Sequence, residues 1–478
     1  MGKEIRKRKL IDIGTKTFVS VLLMLFALII ASVILTYVLP KGEFGETVAD
    51  DKTVVDYASY IRIEGETGIN VFKGIFSPIL VLGSSDGVAL IMLALFLLVI
   101  SGAFQAMSDS NGIKVFVNRI IKRFENKKFL LLSIIALAFM AFGALLGLFE
   151  EMLTLLPIIA ILAVSLGYDS FTGFIVSIVA CGFGFSSAIT NPFTVIFASK
   201  IIGVSPVVNI WYRIVIFAVT YAMLEVFLFI HIKNVEKRPE KSMTYERDKE
   251  LKNEIFAIEE IKNEKKIFTS YTVFFIITLS VTVLCSSLEA LRDLTVVFLI
   301  VVFLIGGFVC SLVATDGNVK ESGKSYLKGV LSALPSVAFI FMASAIKYVL
   351  VEGKVLPTIT HEINAITSSG NPYSIALVLF AIVLALEFFI SSSTAKAIFV
   401  MAVLSVLSLP LTGEMLVLIY TFADGYTNLL FPTSPVLLIG LSMIGVSYFK
   451  WLKKSWALFL TTFALVIGFI LLGIVISY

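Results

Sequence analysis

Two adjacent carboxylates interrupt a long apolar stretch and are the first candidates for chemistry in this sequence. Glu150 and Glu151 lie within GALLGLFEEMLTLLPIIAILAVSLGYDS. Because a carboxylate at the centre of a bilayer costs about 2.5–3.5 kcal/mol on insertion scales, we expect both to face protein or a polar cavity rather than lipid. There they would attract a cation, namely a metal ion, a proton, or the ammonium or guanidinium group of a substrate.

A lysine of the same chain is an alternative partner for the two glutamates, and Lys347 and Lys396 are available. Lys396 follows a second polar interruption, ALEFFISSSTAKAIFV, in which Ser392, Ser393 and Thr394 are further binding candidates. We expect Lys396 to replace a coupling cation or to contact a substrate carboxylate. The alternative is a lysine whose stem packs on apolar surface while its ammonium group extends to the interface.

Clusters of glycine, serine, asparagine and proline interrupt two further apolar stretches. These are FTGFIVSIVACGFGFSSAITNPFTVIFASKIIGVS and MLVLIYTFADGYTNLLFPTSPVLLIGLSMIGVS. A broken helix frees N–H and C=O groups that hydrocarbon cannot satisfy, so we expect the breaks to face protein or a polar cavity. Helix N-termini there favour a carboxylate, and freed carbonyls and hydroxyls suit a small cation. The candidate binding residues at the breaks are Ser187, Thr190, Asn191, Asp424, Asn428, Thr433 and Ser434.

The interrupted stretches occur twice in the chain, in the same order. Each copy closes on Gly-Val-Ser, at Gly203 and at Gly445, about 242 residues apart. A single break is more often a simple kink, and Asn191, Asn428 and Asp424 could serve only helix packing. Interrupted segments in corresponding positions of two halves, however, are typical of a secondary transporter with inverted repeats.

The amino-acid composition indicates a membrane protein. Of its 478 residues, 58% are hydrophobic and 15% are charged, whereas soluble domains carry about 25% charged residues. The net charge of +4 comes from short basic blocks between apolar stretches, so we expect no nucleic-acid partner. The three cysteines lack metal-like spacing, and no set of catalytic residues or nucleotide motif is present. We therefore expect no enzyme and no certain metal site; a channel is a less favoured alternative because broken helices also line pores.

Basic residues predict the membrane topology. The N-terminal MGKEIRKRKLIDIGTKT indicates a cytoplasmic N-terminus in a multi-pass protein of the inner (plasma) membrane. We expect an all-α protein of about nine spans and two re-entrant hairpins. Its organisation is an N-terminal half at 1–232, a cytoplasmic linker at 233–267 and an inverted C-terminal half at 268–478. Residues 41–69 are expected to form an external loop, and a span is expected from about Val330 to Leu350.

These motifs resemble one known family of carriers. The run GLFEEMLTLLPIIAILAVSLGYDS with SSAITNPF, and FADGYTNLLFPTSPVLLIGLSMIGVSYFKWLK in the second half, are similar to the YfcC-like branch of the DcuC-type C4-dicarboxylate carriers, within the ion transporter superfamily. The resemblance runs from about Asn70 onward. It implies a homodimer in which a mobile transport domain, containing both hairpins and both broken helices, moves in an elevator mechanism. The sequence departs from the family at SSSTAKA, where a Gly/Ser-rich tip is expected, so no sodium site is assigned there.

The resemblance implies a transporter of amino acids that exchanges basic ones, such as arginine against ornithine, whereas other relatives move carboxylates with Na⁺ or H⁺. Two uncompensated carboxylates at a tip would repel a dicarboxylate. We therefore expect Glu150 and Glu151 to bind the cationic side chain of the substrate. Asp424 or freed carbonyls would bind its α-amine, and Lys396 or a helix N-terminus its carboxylate. The alternative is a sodium- or proton-coupled symporter of C4-dicarboxylates or other small carboxylates. No cofactor is expected beyond such a coupling ion.

Overall fold

The structure is a computed structural model. It describes residues 15–49, 52–65, 67–85, 87–113, 115–116, 119, 127–256, 263–288, 291, 294–358, 361–362, 370–388, 397, 400–401, 404 and 409–478.

Helices form most of the described chain. The first is α1 (Thr15–Val38), and a two-stranded sheet of β1 (Lys41–Ala49) and β2 (Lys52–Ile63) follows it. The helices of the first half are α2 (Val71–Leu80), α3 (Gly87–Asp109), α4 (Lys128–Leu146), α5 (Leu156–Ser165), α6 (Ser170–Ser186), α7 (Pro192–Ile202) and α8 (Ile210–Lys237). Those that follow are α9 (Tyr245–Phe256), α10 (Glu264–Ser287), α11 (Thr295–Val302, continued to Ala314), α12 (Val319–Glu352), α13 (Pro372–Glu387), α14 (Gly413–Thr427), α15 (Pro435–Met443) and α16 (Tyr448–Val475).

Six of the described helices are long and apolar enough to cross a membrane: α3, α4, α8, α11, α12 and α16. Further apolar helices are shorter, among them α5, α6, α7 and α13. A helix needs about 20 residues to cross the hydrocarbon core, so the shorter ones reach only part of the way. The described chain is therefore that of a multi-pass membrane protein with several incomplete helices.

The β-hairpin corrects the expectation of an all-α fold, whereas the external position of residues 41–69 stays a prediction. Strands β1 and β2 pair antiparallel from Lys41–Ile63 to Ala49–Lys52, with a bulge after Phe44. The sequence KTVVDYASYIRI of β2 is rich in β-branched and aromatic residues, which fit a pleated strand. The acidic residues of the segment led to its interpretation as a loop.

The hairpin packs against the segment that follows α12. The Gly42 amide donates to the Lys354 carbonyl at 3.1 Å, and the hydroxyls of Tyr60 and Thr358 lie 2.9 Å apart. The Tyr60 ring also stacks on His361, with ring centroids 4.0 Å apart. The fold thus brings the hairpin into contact with a segment about 300 residues away in the sequence.

Helix α12 begins earlier than the span expected from Val330. It starts at Val319 because the Asn318 side chain caps it, accepting a hydrogen bond from the Glu321 amide at 3.1 Å. The helix then packs along α3 and α1. Close approach to α3 depends on Gly329, where a Cβ would lie 2.3 Å from the Ser101 carbonyl oxygen.

The segment expected to link the two halves, at 233–267, is partly helical, and it is hydrogen-bonded to α6. Asp248 on α9 accepts hydrogen bonds from the amide of Ser170 at 2.8 Å, from the Ser170 hydroxyl, and from the Thr244 hydroxyl. Burial raises the pKa of the Asp248 carboxyl, an effect that the hydrogen bonds from Ser170 and Thr244 partly oppose. The start of α6 is thus held by a residue of the connecting segment.

Helices α4 and α6 are in backbone contact. A Cβ at Gly184 on α6 would lie 1.9 Å from the carbonyl oxygen of Met140, and a Cβ at Gly143 on α4 would lie 2.2 Å from that of Cys181. Small residues at such positions let membrane helices approach closely. This contact brings the end of α4 to the end of α6.

We predict that Gly184→Ala destabilises the protein, whereas Gly468→Ala on α16 does not. The added methyl group at position 184 has no room, and overpacking of this kind costs about 1–3 kcal/mol. At position 468 no atom lies within 4 Å of the new Cβ, and alanine has the higher helix propensity. Thermal unfolding in detergent measures both variants; equal melting temperatures would contradict the close packing of α4 on α6.

Candidate substrate site

The first tip connects α4 to α5 and carries the two glutamates. Helix α4 ends in a wide π turn at Phe142–Leu146 and is closed by Gly147, whose φ of 69° is left-handed and favours glycine. Glu150 precedes a short 3₁₀ turn, Glu151–Thr154, and Pro157 starts α5. The glutamates therefore lie between two helix ends.

The two glutamates have different surroundings. Glu150 is exposed, whereas Glu151 is buried with 8% of its surface exposed. Among the described residues, neither forms an ion pair, and Oε2 of Glu151 has no hydrogen-bond partner. Their charges interact with each other, and the charge of Glu150 also interacts with that of Asp424. Glu150 is thus the one that an incoming group can reach directly.

The break between α6 and α7 is bonded to the first tip. The amides of Ile189 and Thr190 donate to the Ala144 carbonyl at 2.9 and 3.2 Å, and the Asn191 side chain donates to the Gly143 carbonyl at 3.2 Å. The same Asn191 caps α7, accepting from the Phe193 amide at 2.9 Å. Asn191, predicted to contact substrate, thus joins the break to the tip.

The remaining polar groups of this break are also engaged by backbone. The Thr190 hydroxyl donates to the Leu145 carbonyl at 3.2 Å, and the Ser187 hydroxyl donates to the Phe183 carbonyl of its own helix at 2.7 Å. Each hydroxyl oxygen keeps acceptor capacity for a cation.

Arg213 contacts the same break and was not singled out from the sequence. It is buried in α8, and its guanidinium donates to the Ala188 carbonyl at 3.2 Å and is hydrogen-bonded to the side chain of Tyr478. Such a cation within an apolar helix is costly unless it is paired. An arginine inside IWYRIVIF was the available signal.

The second break separates α14 from α15 and lies close to the first. Ser434 caps α15 by accepting from the Leu437 amide at 3.4 Å; Thr433 is buried and Asn428 is half-buried. A Cβ at Gly425 would lie 2.1 Å from the Cα of Ser186, the last residue of α6. The two interruptions, far apart in sequence, therefore meet.

Two buried carboxylates lie beside the second break. Asp424 is fully buried, and Glu387 at the end of α13 is 3% exposed. The Thr427 hydroxyl donates to Glu387 at 3.4 Å, and both carboxylates interact electrostatically with Tyr420. Glu387 was missed, although the cost of a carboxylate in the apolar run LALEFFI could have found it.

The site is thus rich in carboxylates, which we call the acidic group: Glu150, Glu151, Glu387 and Asp424. Within the described ranges, no three His, Cys, Asp or Glu side chains are placed to hold one metal ion. Four predicted residues, Ser392, Ser393, Thr394 and Lys396, lie outside the described residues. The acidic group attracts cationic groups of a ligand.

Comparison with known sequences gives a family and two relatives. The sequence model of the family described as "DcuC: C4-dicarboxylate anaerobic carrier" matches residues 18–475. A protein of Escherichia coli K12 named "Putative basic amino acid antiporter YfcC" is 28% identical over 84% of this chain and 81% of its own length. An uncharacterized protein of Haemophilus influenzae is 21% identical over 92% of this chain and 93% of its own length.

Two solved structures resemble this one at 14% sequence identity. The YdaH transporter of Alcanivorax borkumensis has a TM-score of 0.42, over 97% of this chain and 99% of that chain. MtrF of Neisseria gonorrhoeae, described with a class of antimetabolite efflux pumps, has a TM-score of 0.45, over 95% of this chain and 94% of that chain.

We predict that Asn191→Ala loosens the first tip, whereas Asn371→Ala, which removes a similar cap from α13, does not. Each substitution loses a capping bond worth about 1 kcal/mol, but only Asn191 also bonds to the tip. The thiol of Cys181 donates to the Leu148 carbonyl at this tip and is buried. Mass spectrometry after maleimide treatment should show at least fivefold faster labelling of Cys181 in Asn191→Ala alone; equal labelling in both variants would contradict the role of Asn191.

Proposed function

This chain belongs to the DcuC family of C4-dicarboxylate anaerobic carriers, and we propose that within this transporter family it exchanges basic amino acids such as arginine and ornithine. The proposal rests on one observation, the acidic group at the meeting point of the two breaks. The chain is a multi-pass membrane carrier and not an enzyme.

The charges of a basic amino acid complement this site. Such a substrate has two cationic groups and one carboxylate. Glu150, which is exposed and has no ion pair with a described residue, receives the guanidinium or ammonium group of the side chain, with Glu151 behind it. Asp424, whose charge interacts with that of Glu150, receives the α-amine. A charged hydrogen bond of this kind contributes about 1.5–3 kcal/mol to the free energy of substrate binding.

The substrate carboxylate is bound at the helix N-termini of the two breaks. Helices α7 and α15 both begin there, at Pro192 and Pro435, and the N-terminal end of a helix carries a partial positive charge. Lys396 is a further partner for the carboxylate. Further polar side chains orient the substrate: the hydroxyls of Ser187, Thr190, Thr433 and Ser434, the amide of Asn428, and Ser392, Ser393 and Thr394 of the second polar interruption.

Exchange rather than one-way transport follows from the same charges. Glu150 and Glu151 form no ion pair with a described residue, so without a bound cation their charges repel each other in a low dielectric, and the empty site crosses the membrane at a high energy cost. A bound basic amino acid lowers that cost. The site therefore crosses mainly when loaded.

The YfcC relative, whose name assigns it to basic amino acid antiport, supports the same substrate class. We propose the matching architecture as well: inverted repeats with about nine spans and two re-entrant hairpins, in a homodimer with elevator-type movement. The halves are 1–232 and 268–478, joined by a cytoplasmic linker at 233–267. The N-terminus is cytoplasmic and the membrane is the bacterial inner membrane.

A second candidate is a sodium- or proton-coupled symporter of C4-dicarboxylates or other small carboxylates. The description of the family favours it. The acidic group disfavours it, because a dicarboxylate would meet like charges unless coupling cations entered with it.

We predict that proteoliposomes containing this protein take up radiolabelled arginine only when they are preloaded with ornithine or arginine, and that sodium and proton gradients have little effect. Glu150→Gln and Glu151→Gln should each lower kcat/KM for arginine at least about tenfold, since the first removes a charged hydrogen bond and the second removes the negative charge behind it. Glu264→Gln, at an exposed position in the first turn of α10, is the matched control and should leave uptake unchanged.

Arginine or lysine uptake that survives both glutamine substitutions would overturn the proposed role of the acidic tip. Uptake of a dicarboxylate driven by a sodium or proton gradient, with no arginine uptake under any condition, would establish the second candidate. In that case Glu150 and Glu151 bind a coupling ion or an internal lysine.

A further inference from the structure

A small basic cavity lies where α8 ends, far in sequence from the acidic group. Its volume is about 40 Å³, room for roughly three water molecules, and it is partly open. Its walls come from the end of α8, from the connecting segment and from the start of α16. The polar lining residues are His231, Asn234, Arg238, Lys241, Ser242 and Lys454.

Three cationic side chains line this cavity without a carboxylate partner. Arg238, Lys241 and Lys454 form no ion pair with any residue in the described part of the chain. Of the nearby acidic residues, Glu236 is paired with Lys233 at 2.8 Å, and Glu240 is exposed. Glu240, Asp169, which contacts His231 and Ser242, and the C-terminal carbonyls of α8 oppose an anion, but the three cations outnumber the two carboxylates.

His231 adds a buried polar atom to the cavity wall. The side chain is 4% exposed, and its Nε2 lies 3.0 Å from a carboxylate oxygen of Asp169. The other ring nitrogen, Nδ1, is buried and has no hydrogen-bond partner among the residues described. A buried polar atom without a partner is costly and calls for a ligand or water.

The state of Asp169 determines which hydrogen-bonding role His231 has. Burial alone would raise the pKa of the Asp169 carboxyl, but the charge of His231 and hydrogen bonds from His231, Ser242 and Thr172 lower it to about 2. Asp169 is therefore ionised and accepts, so Nε2 carries a proton. Nδ1 then accepts a hydrogen bond in the neutral ring and donates one in the charged ring, and it is the ring nitrogen left for a ligand in the cavity.

From this geometry we infer a binding site for a phosphate group in the cavity formed by His231, Arg238, Lys241, Ser242 and Lys454. Arginine and lysine are the usual partners of phosphate oxygens, and arginine binds them in a bidentate manner. The phosphate comes either from an anionic lipid headgroup or from a free phosphate compound.

The position of the cavity suits a lipid headgroup. Helices α8 and α16, which provide His231, Asn234 and Lys454, are both long and apolar enough to cross the membrane, and the cavity lies at their charged ends. Basic pockets at such positions bind anionic headgroups. Ser242 and His231 also hold Asp169, so a bound phosphate reinforces the turn between α5 and α6.

The test uses the full-length protein and two probes. In detergent, inorganic phosphate is titrated at constant ionic strength while the melting temperature is followed. In nanodiscs, melting temperatures are compared between phosphatidylcholine alone and phosphatidylcholine with phosphatidylglycerol. A triple variant, R238Q/K241Q/K454Q, is compared with a charge-matched control at exposed positions on other helices, K265Q/K266Q/K320Q.

We expect one probe to raise the melting temperature of the wild type and of the control. The pocket variant should need at least a tenfold higher concentration of that probe for the same rise in melting temperature. An effect of phosphatidylglycerol alone identifies a lipid phosphate, and an effect of inorganic phosphate alone identifies a free one. His231→Gln keeps a donor toward Asp169 but removes Nδ1. It should raise the concentration of the same probe that is needed for the same melting temperature at least threefold. If the pocket variant and the charge-matched control respond equally to both probes, the site does not exist.

Discussion

Backbone polar groups that cannot reach water must find partners within the protein, and the centre of this molecule is arranged by that constraint. The first tip and the first break each leave N–H and C=O groups without helical partners. They satisfy one another: the amides at 189 and 190 and the Asn191 side chain bond to carbonyls of the last turn of α4. The open ends of three helices are thereby held in one place.

Charge adds a second requirement, which the backbone meets only in part. Carboxylates lie close together where the breaks meet, and within the described residues Oε2 of Glu151 has no hydrogen-bond partner. An apolar surrounding raises the cost of these charges until cations accompany them. Stability of this region and occupancy by cations are therefore linked, as in any site whose ligand completes an incomplete set of charges.

Several features of the site follow from local sequence, because they have local causes. Proline and asparagine at Asn191-Pro192 and serine and proline at Ser434-Pro435 start helices, so the breaks were predictable. Adjacent glutamates within an apolar run stand out by their energetic cost. Single charges in such runs, Glu387 and Arg213, obey the same rule and were overlooked.

Other features depend on the path of the chain in space. Nothing near Gly425 indicates that Ser186 lies against it, since the contact joins helices from the two halves. The β-hairpin was missed for a different reason: acidic residues between β-branched ones made the segment look like a loop, although its pairing makes it a sheet.

The bonds of Asp248 to the start of α6 change where the chain is best divided. By composition the first half ends near residue 232, yet Ser170 depends on an acceptor that lies beyond that point. If the protein were produced as two separate polypeptides, or if halves of two homologues were joined, a boundary at 232 would leave the Ser170 amide and hydroxyl without their partner. The N-terminal piece should extend past Asp248. The connecting segment is thus partly a component of the first folding unit and only partly a tether.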